Sequence, residues 1–401
     1  MTSKKKNFIF WFLLSIVSLV YLFLRFYHLP QLIGFRLDQG VHLLETKQMV
    51  DDRQLRLVGP MVTSKSFDGR NFFIGANYYY VLALIGLVSS WNPFVITSIF
   101  IFIEFIFYLI FTLFIKKTTN SFLALISFLF ISLSPYLVIH SRFFWNPHLL
   151  IPLSILCLIS LNYFSSHQKI KFLLLASFIW GFAFSCHYSA IFWGIFFLYF
   201  LIKSKNILNF KIYFLIVLGF FLGDLPFFLF EFRHQFYNLT TMFYIFTHSS
   251  QSGQLTSHYF IFPLLIFLLY FSLIYFSKIK NHRLKITLPI ILFSFLTLIQ
   301  LKIFSNYQPL DSILGWDYST QNQVADIISI NCPKNFNIAA TIQGDTRFYD
   351  LRYLLNLRNC NPNGVENYPN SETIFLVSPT DRSPQTETVW EISSFQPFDI
   401  T

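Results

Sequence analysis

The sequence predicts an all-α polytopic membrane protein, with about nine transmembrane helices plus juxtamembrane helices, followed by a small C-terminal extracytoplasmic α/β domain. Three observations lead there. Hydrophobic residues make up 54% of the 401 positions and charged residues only 12%, about half the charged share of a soluble domain. Apolar runs of near-spanning length recur along the first 305 residues. Basic residues gather in short hinges between those runs, as cytoplasmic loops of membrane proteins do.

Lys4, Lys5 and Lys6 precede the first apolar run, 8–27. That run exceeds the roughly 7–15 residues of a signal-peptide core and no small-residue cleavage site follows. It reads as a retained helix with a cytoplasmic N-terminus. Further runs lie at 73–90, 93–115, 121–139, 148–165, 172–186, 188–202, 212–230, 259–276 and 286–303. Placing Lys4–Lys6, Lys116/Lys117, Lys169/Lys171, Lys203/Lys205/Lys211 and Lys278/Lys280/Arg283/Lys285 on one side requires an even number of crossings between successive clusters. Only the first interval fails, because it holds three runs. The short 73–90 run, opening on Asn77-Tyr78-Tyr79-Tyr80 and closed by Trp91-Asn92-Pro93, is therefore read as interfacial or re-entrant. Nine crossings remain, and the C-terminus lies outside in a multi-pass plasma-membrane protein.

Residues 306–401 form a second domain. Apolar stretches at 338–342 and 373–377 read as strands, and helical patterns at 320–330 and 345–357 flank the first of them. Cys157 and Cys186 lie in apolar runs and read as buried small hydrophobes. Cys332 and Cys360 lie in the polar C-terminal domain, where they form a disulfide if that domain is extracytoplasmic and stay as thiols otherwise. The net charge of +10 is scattered between apolar segments, which argues against a nucleic-acid partner.

The topology puts the polar chemistry on the outer face. Asp38 follows the first run in Arg36-Leu37-Asp38-Gln39-Gly40 and is the candidate general base for an acceptor hydroxyl; a solvated loop acid has the same local sequence. In His140-Ser141-Arg142-Phe143-Phe144-Trp145-Asn146-Pro147-His148, Arg142 suits a phosphate, Trp145 a sugar face or the lipid interface, and Asn146 a hydroxyl. In Phe230-Glu231-Phe232-Arg233-His234, Arg233 and His234 suit a lipid phosphate, and Glu231 either pairs with Arg233 or orients the acceptor. The three tyrosines are interfacial anchors, with Tyr78 the candidate for the pocket. Glu104 and Asp224 lie inside apolar runs, where a partner or a water-filled pocket is expected. Histidine spacing gives no tight metal site. Asp38 with Glu45 offers at most a loose, hydrated site for a divalent cation.

In this order, the clusters resemble the C-type glycosyltransferase superfamily, nearest to bacterial relatives of the dolichyl-phosphate-mannose protein mannosyltransferases (glycosyltransferase family 39). The stretch from Leu37 to Leu44 is similar to the "DE…Y…A…L" context of the first outer loop. Gly75-Ala76-Asn77-Tyr78-Tyr79-Tyr80-Val81-Leu82-Ala83 is similar to "GPLYYYLLA", Ser141 to Pro152 to "SRxxWNPxLLP", and Phe230 to Thr240 to "FELRHxFxNT". The resemblance covers about 1–305. It implies transfer of a sugar from a polyprenyl-phosphate donor in the bilayer to an acceptor (protein, lipid or glycan), with inversion. It implies Asp38 as base, and Arg142, Arg233 and His234 around the leaving phosphate. One departure stands out, since Gln39 replaces the second acid of the family's pair. Two other classes fit the composition: a transporter or lipid flippase, and a noncatalytic membrane scaffold.

Overall fold

The computed structural model describes residues 3–61, 71–206, 209–248, 258–279, 315–342 and 346–379, with scattered positions between 287 and 302 and Glu391. The chain is mostly helical. Helix α1 (Ser3–Phe26) shows why it suits lipid. Phe8, Phe12, Ile16, Leu19 and Phe23 form an exposed stripe, while Phe10, Leu14, Tyr21 and Leu24 are buried. Apolar rings exposed at this spacing would be a liability in water. Against acyl chains they are the expected solvent-facing side.

Short α2 (Leu29–Leu32) leads to α3 (Leu37–Asp51) and to the antiparallel hairpin β1 (Val58–Met61) with β2 (Phe73–Gly75). Helix α4 (Asn77–Val88) has 12 residues, about 18 Å of rise, short of a ~30 Å hydrocarbon core. Helix α5 (Pro93–Thr118) is long, and its start is set by Asn92, whose side chain accepts from the N–H of Phe94 at 2.9 Å and of Val95 at 3.3 Å. Next comes α6 (Ser121–Leu133), then α7 (Pro135–His140). Pro135 has no N–H to give the carbonyl of Ile131. Buried Arg25 supplies the missing donor, reaching the oxygens of Ile131 at 3.2 Å and Ser132 at 3.3 Å, with its guanidinium 3.5 Å from the Tyr21 ring. Arg25 is also the opposite charge acting on buried Glu104 of α5, a partner that hydropathy alone did not reveal.

The bundle continues with α8 (Leu150–His167), α9 (Ile170–Cys186), α10 (Gly194–Lys203), α11 (Phe210–Gly223), α12 (Leu225–Arg233), α13 (Tyr237–His248) and α14 (His258–Ser277). Among the described residues four helices are long and apolar enough to cross a membrane: Lys4–Phe26, Pro93–Thr118, Asn146–His167 and Phe260–Ser277. A fifth is added if α11 and α12, bent by 84°, make one span. The other expected crossings are shorter apolar helices or are broken, at points that an apolar run does not reveal. The 121–139 run is cut at Pro135, the 188–202 run begins as a tight 3-10 turn (Tyr188–Trp193), and the 212–230 run folds sharply at Asp224. The 286–303 run is described only at scattered positions.

Hydrogen bonds tie the basic hinges together at one end of the bundle. Lys116 donates to Asn7 at 2.9 Å, Lys117 to the Tyr163 hydroxyl at 2.8 Å, and Asn206 to Gln168 at 2.6 Å. The opposite end carries α3, the 141–148 turn, the α9 terminus and the α12–α13 corner.

The C-terminal module has α15 (Tyr318–Ile330), β3 (Phe336–Ala340), α16 (Tyr349–Asn356) and β4 (Thr373–Val377), with β3 and β4 paired in parallel. The strand expected at 338–342 begins two residues earlier. Cys332 and Cys360 form a disulfide, and Cys157 and Cys186 are buried thiols. The module packs on the segment before α3 and on the start of α5: Tyr353 donates to the carbonyl of Trp91 at 2.5 Å, and Gln321 to that of Phe35 at 3.0 Å.

Candidate functional site

Helix α3 organises the polar end of the bundle. Asp38 lies in its first turn and is exposed, a favourable place for a carboxylate near unpaired helix N–H groups. Asp38, His42 and Glu45 follow at i, i+4 and i+7, which puts them on one helix face. That face meets α4. The His42 ring lies 5.2 Å from Tyr78 and 6.1 Å from Tyr79, edge-on to both. Burial pushes the His42 imidazole below its usual range, against the pull of Asp38 and Glu45. His42 is therefore a neutral ring between two carboxylates.

Glu45 is the most engaged of the three. The Tyr79 hydroxyl donates to it at 2.5 Å, and Arg56 pairs with it at 2.9 Å while also bonding Gln48 at 3.3 Å. Burial, then the Glu45 carboxylate, holds the Tyr79 phenol well above its usual range, so it stays a donor. Tyr80 fixes the same segment by donating to the Arg56 carbonyl. Beside these groups a cavity of about 450 Å³ is lined by Glu45, Arg56, Val58, Met61, Phe73 and Phe230, together with Leu57 and Gly59. It presents a carboxylate, a guanidinium and aromatic walls together.

The 141–146 turn closes against the start of α3. Gly34 donates to the Arg142 carbonyl at 3.2 Å, and Gln39 donates to the Phe144 carbonyl at 3.2 Å. Gln39 also accepts from the Arg36 N–H at 3.2 Å. The Gln39 amide therefore does what a second acid could not, because a carboxylate has no hydrogen for Phe144. The Arg142 side chain is buried and donates to the Leu24 carbonyl at 2.7 Å, straddling α1 and this turn. Asn146 is buried too and donates to the Cys186 carbonyl at 2.8 Å. Trp145 is half-buried, its ring 6.0 Å from His148. Tyr78 is fully buried behind His42.

At the α12–α13 corner, the Glu231 carboxylate is buried and accepts from the N–H of Asn238 at 3.2 Å and Leu239 at 3.1 Å. It thereby caps α13. Arg233 and His234 are exposed, and the His234 ring stacks 4.1 Å from Phe230, a wall of the cavity. Asp224 is fully buried at the α11–α12 break beside Ser185: a Cβ added to Gly75 would lie 1.9 Å from the Ser185 hydroxyl oxygen and 2.6 Å from Asp224 Oδ1.

The structure thus brings the start of α3, through Gln39, against the turn that carries Arg142, Trp145 and Asn146, and sets Arg233 and His234 beyond the Phe230 wall. It places Arg142, Asn146 and Glu231 in buried bonds to the fold. His42, Tyr79 and Arg56 were missed as a group. The i, i+4, i+7 spacing of Asp38, His42 and Glu45 was the available signal; the approach of Arg56 had none. Glu45, expected to share a loose cation with Asp38, already holds Arg56 and Tyr79. Among the described residues no group of three or more His, Cys, Asp or Glu side chains is placed to hold a metal ion.

No protein-family model matches the chain, and no curated protein matches it.

Proposed function

We propose that this chain is a membrane glycosyltransferase that moves a sugar from a polyprenyl-phosphate donor to an acceptor on the extracytoplasmic face, with inversion. The observation that carries the reading is the single helix α3. It offers an exposed carboxylate, Asp38, and one face further along borders a cavity lined by Glu45, Arg56 and Phe230. Planar charged groups beside aromatic walls suit a pyranose ring, whose hydroxyls need donors and acceptors and whose C–H faces need apolar contact. Asp38 takes the proton of the acceptor hydroxyl as that oxygen attacks the anomeric carbon opposite the phosphate. Arg233 and His234, exposed past Phe230, and the Arg56 guanidinium meet the charge growing on the leaving phosphate. The finer topology belongs to the same proposal: about nine crossings in the plasma membrane, a cytoplasmic N-terminus and an outer C-terminal module. The Cys332–Cys360 bond supports the outer placement, since disulfides persist in oxidising compartments.

The test is transfer or hydrolysis of a polyprenyl-phosphate hexose by the full chain in nanodiscs. Asp38→Asn is expected to lower turnover about 10²- to 10⁴-fold while the donor still binds. Equal turnover in the two proteins sinks the reading.

One observation favours a second reading, a transporter or flippase: the buried carboxylate of Asp224 sits at a sharp break in an apolar helix pair, the geometry of discontinuous transporter helices. Vesicle flux abolished by Asp224→Asn and untouched by Asp38→Asn decides for it.

A further inference from the structure

The helix that carries Asp38, His42 and Glu45 is gripped from the side opposite α4 by a segment some three hundred residues away in the chain. Gly40 lies on α3 where the backbone of α16 crosses it. A Cβ at position 40 would sit 2.5 Å from the Tyr349 carbonyl oxygen and 2.6 Å from the Asp350 nitrogen. Both are main-chain atoms with little room to yield, so only glycine fits. One turn before α3, Phe35 is held between two rings of the module, Tyr318 at 5.7 Å and Tyr353 at 5.8 Å, and its carbonyl accepts from Gln321 at 3.0 Å. Tyr353 reaches past it to the Trp91 carbonyl at the start of α5. The module thus touches the segment before α3, its first turns, and the bundle beneath.

The disulfide sits at the open end of this bracket. Cys332 follows α15 and Cys360 follows α16, the two helices whose side chains and backbone hold Phe35 and Gly40. Cys332 is exposed and Cys360 buried, so one sulfur is open to an external thiol.

We propose that the C-terminal module is a clamp that positions α3, with Gly40, Gln321 and Tyr353 as positioning residues and the Cys332–Cys360 bond as its brace. The clamp itself follows from packing; that it serves catalysis rests on the glycosyl-transfer reading above. Opening it leaves α3 held through α4, the 141–146 turn and the Arg56 bonds to Glu45 and Gln48, and lets Asp38 drift from the segments it faces.

The test is hydrogen exchange of the full chain in nanodiscs, read on peptides covering 37–51 and, as a reference, 93–118. The informative variant is Gly40→Ala, because the two effects of that change have opposite sign. In an unclamped helix alanine is the better helix former and slows exchange. Under the clamp its methyl group collides with α16 and exchange across 37–51 speeds up at least tenfold, with 93–118 unchanged. Cys332→Ser, or a membrane-impermeant reductant on the parent, is expected to give a smaller rise at the same residues. Tyr353→Phe keeps the ring against Phe35 but loses the bond to Trp91, and a rise of a few fold is expected there. Slower or unchanged exchange at 37–51 in Gly40→Ala overturns the proposal, and so does an equal rise at 93–118. In the transfer assay, Gly40→Ala is expected to lower kcat tenfold or more with donor KM within twofold. Faster exchange without that loss overturns the positioning role. A parent protein without any transfer activity overturns the glycosyl-transfer reading, while the exchange result still decides the clamp.

Discussion

Replacing Gln39 by glutamate would set a second acid beside Asp38, and the structure gives a reason to expect damage. Gln39 is 5% exposed. Its amide nitrogen donates to the Phe144 carbonyl at 3.2 Å and its amide oxygen accepts from the Arg36 N–H at 3.2 Å. A carboxylate keeps the second bond and loses the first, setting an anionic oxygen against a carbonyl oxygen. Losing a buried donor costs about 1–3 kcal/mol. The position is in the first turn of α3, where a negative charge returns about 0.3–1 kcal/mol. The net expectation is a loss of about 1–2 kcal/mol, together with loosening of the contact between α3 and the 141–146 turn. The assay is thermal unfolding of parent, Gln39→Glu and Gln39→Met in the same nanodisc, from neutral pH to about pH 4. A protonated glutamic acid regains the donor, so the folded state favours the protonated form and raises the carboxyl pKa. The variant's stability is then fully present below the unfolded value of about 4.3 and lost as pH rises through the folded one. The gap to the parent therefore narrows on acidification. Gln39→Met lacks both bonds and is expected to stay destabilised at every pH. A Gln39→Glu protein as stable as the parent at neutral pH, or more active, refutes the reasoning.

Other expectations concern buried charge. Arg25→Leu removes the donors that serve the Ile131 and Ser132 carbonyls and the opposite charge acting on Glu104; a loss of about 3–5 kcal/mol is expected. Adding Glu104→Gln should recover part of it in a double-mutant cycle, and strict additivity would show that the two do not interact. His42 is held neutral by burial. With its folded pKa below the unfolded value of about 6.5, it contributes stability present above that value and lost as pH falls. Unfolding midpoints of the parent should drop between about pH 7 and pH 5, and His42→Gln should flatten that interval; an equal slope in both proteins contradicts the assignment.

Much of the fold is legible in the sequence because transfer of apolar surface out of water is a local property. The apolar runs, the lysine hinges and the α/β pattern of the C-terminal module each depend on a window of neighbouring residues. So do the helix starts at Asn92 and Asn120, whose side chains accept from N–H groups two or three residues ahead. Breaks are less legible: Asp224 and Pro135 interrupt runs whose average hydropathy stays high, so among the described residues four or five helices have the length and composition to span, where nine crossings were expected.

The sequence by itself determined which segments are apolar enough to suit a bilayer and which polar residues are scarce enough to matter. Only tertiary structure decided how those residues are used. Arg142, Asn146 and Glu231 spend their polar atoms on Leu24, Cys186 and the start of α13, while Glu45 and Arg56 line a cavity. Gly40 is fixed by the backbone of α16. The reason is that a hydrogen bond or a close contact is set by the partner's position. Here most of those partners arrive from other segments, some of them hundreds of residues away, and local composition carries no record of where they come to rest.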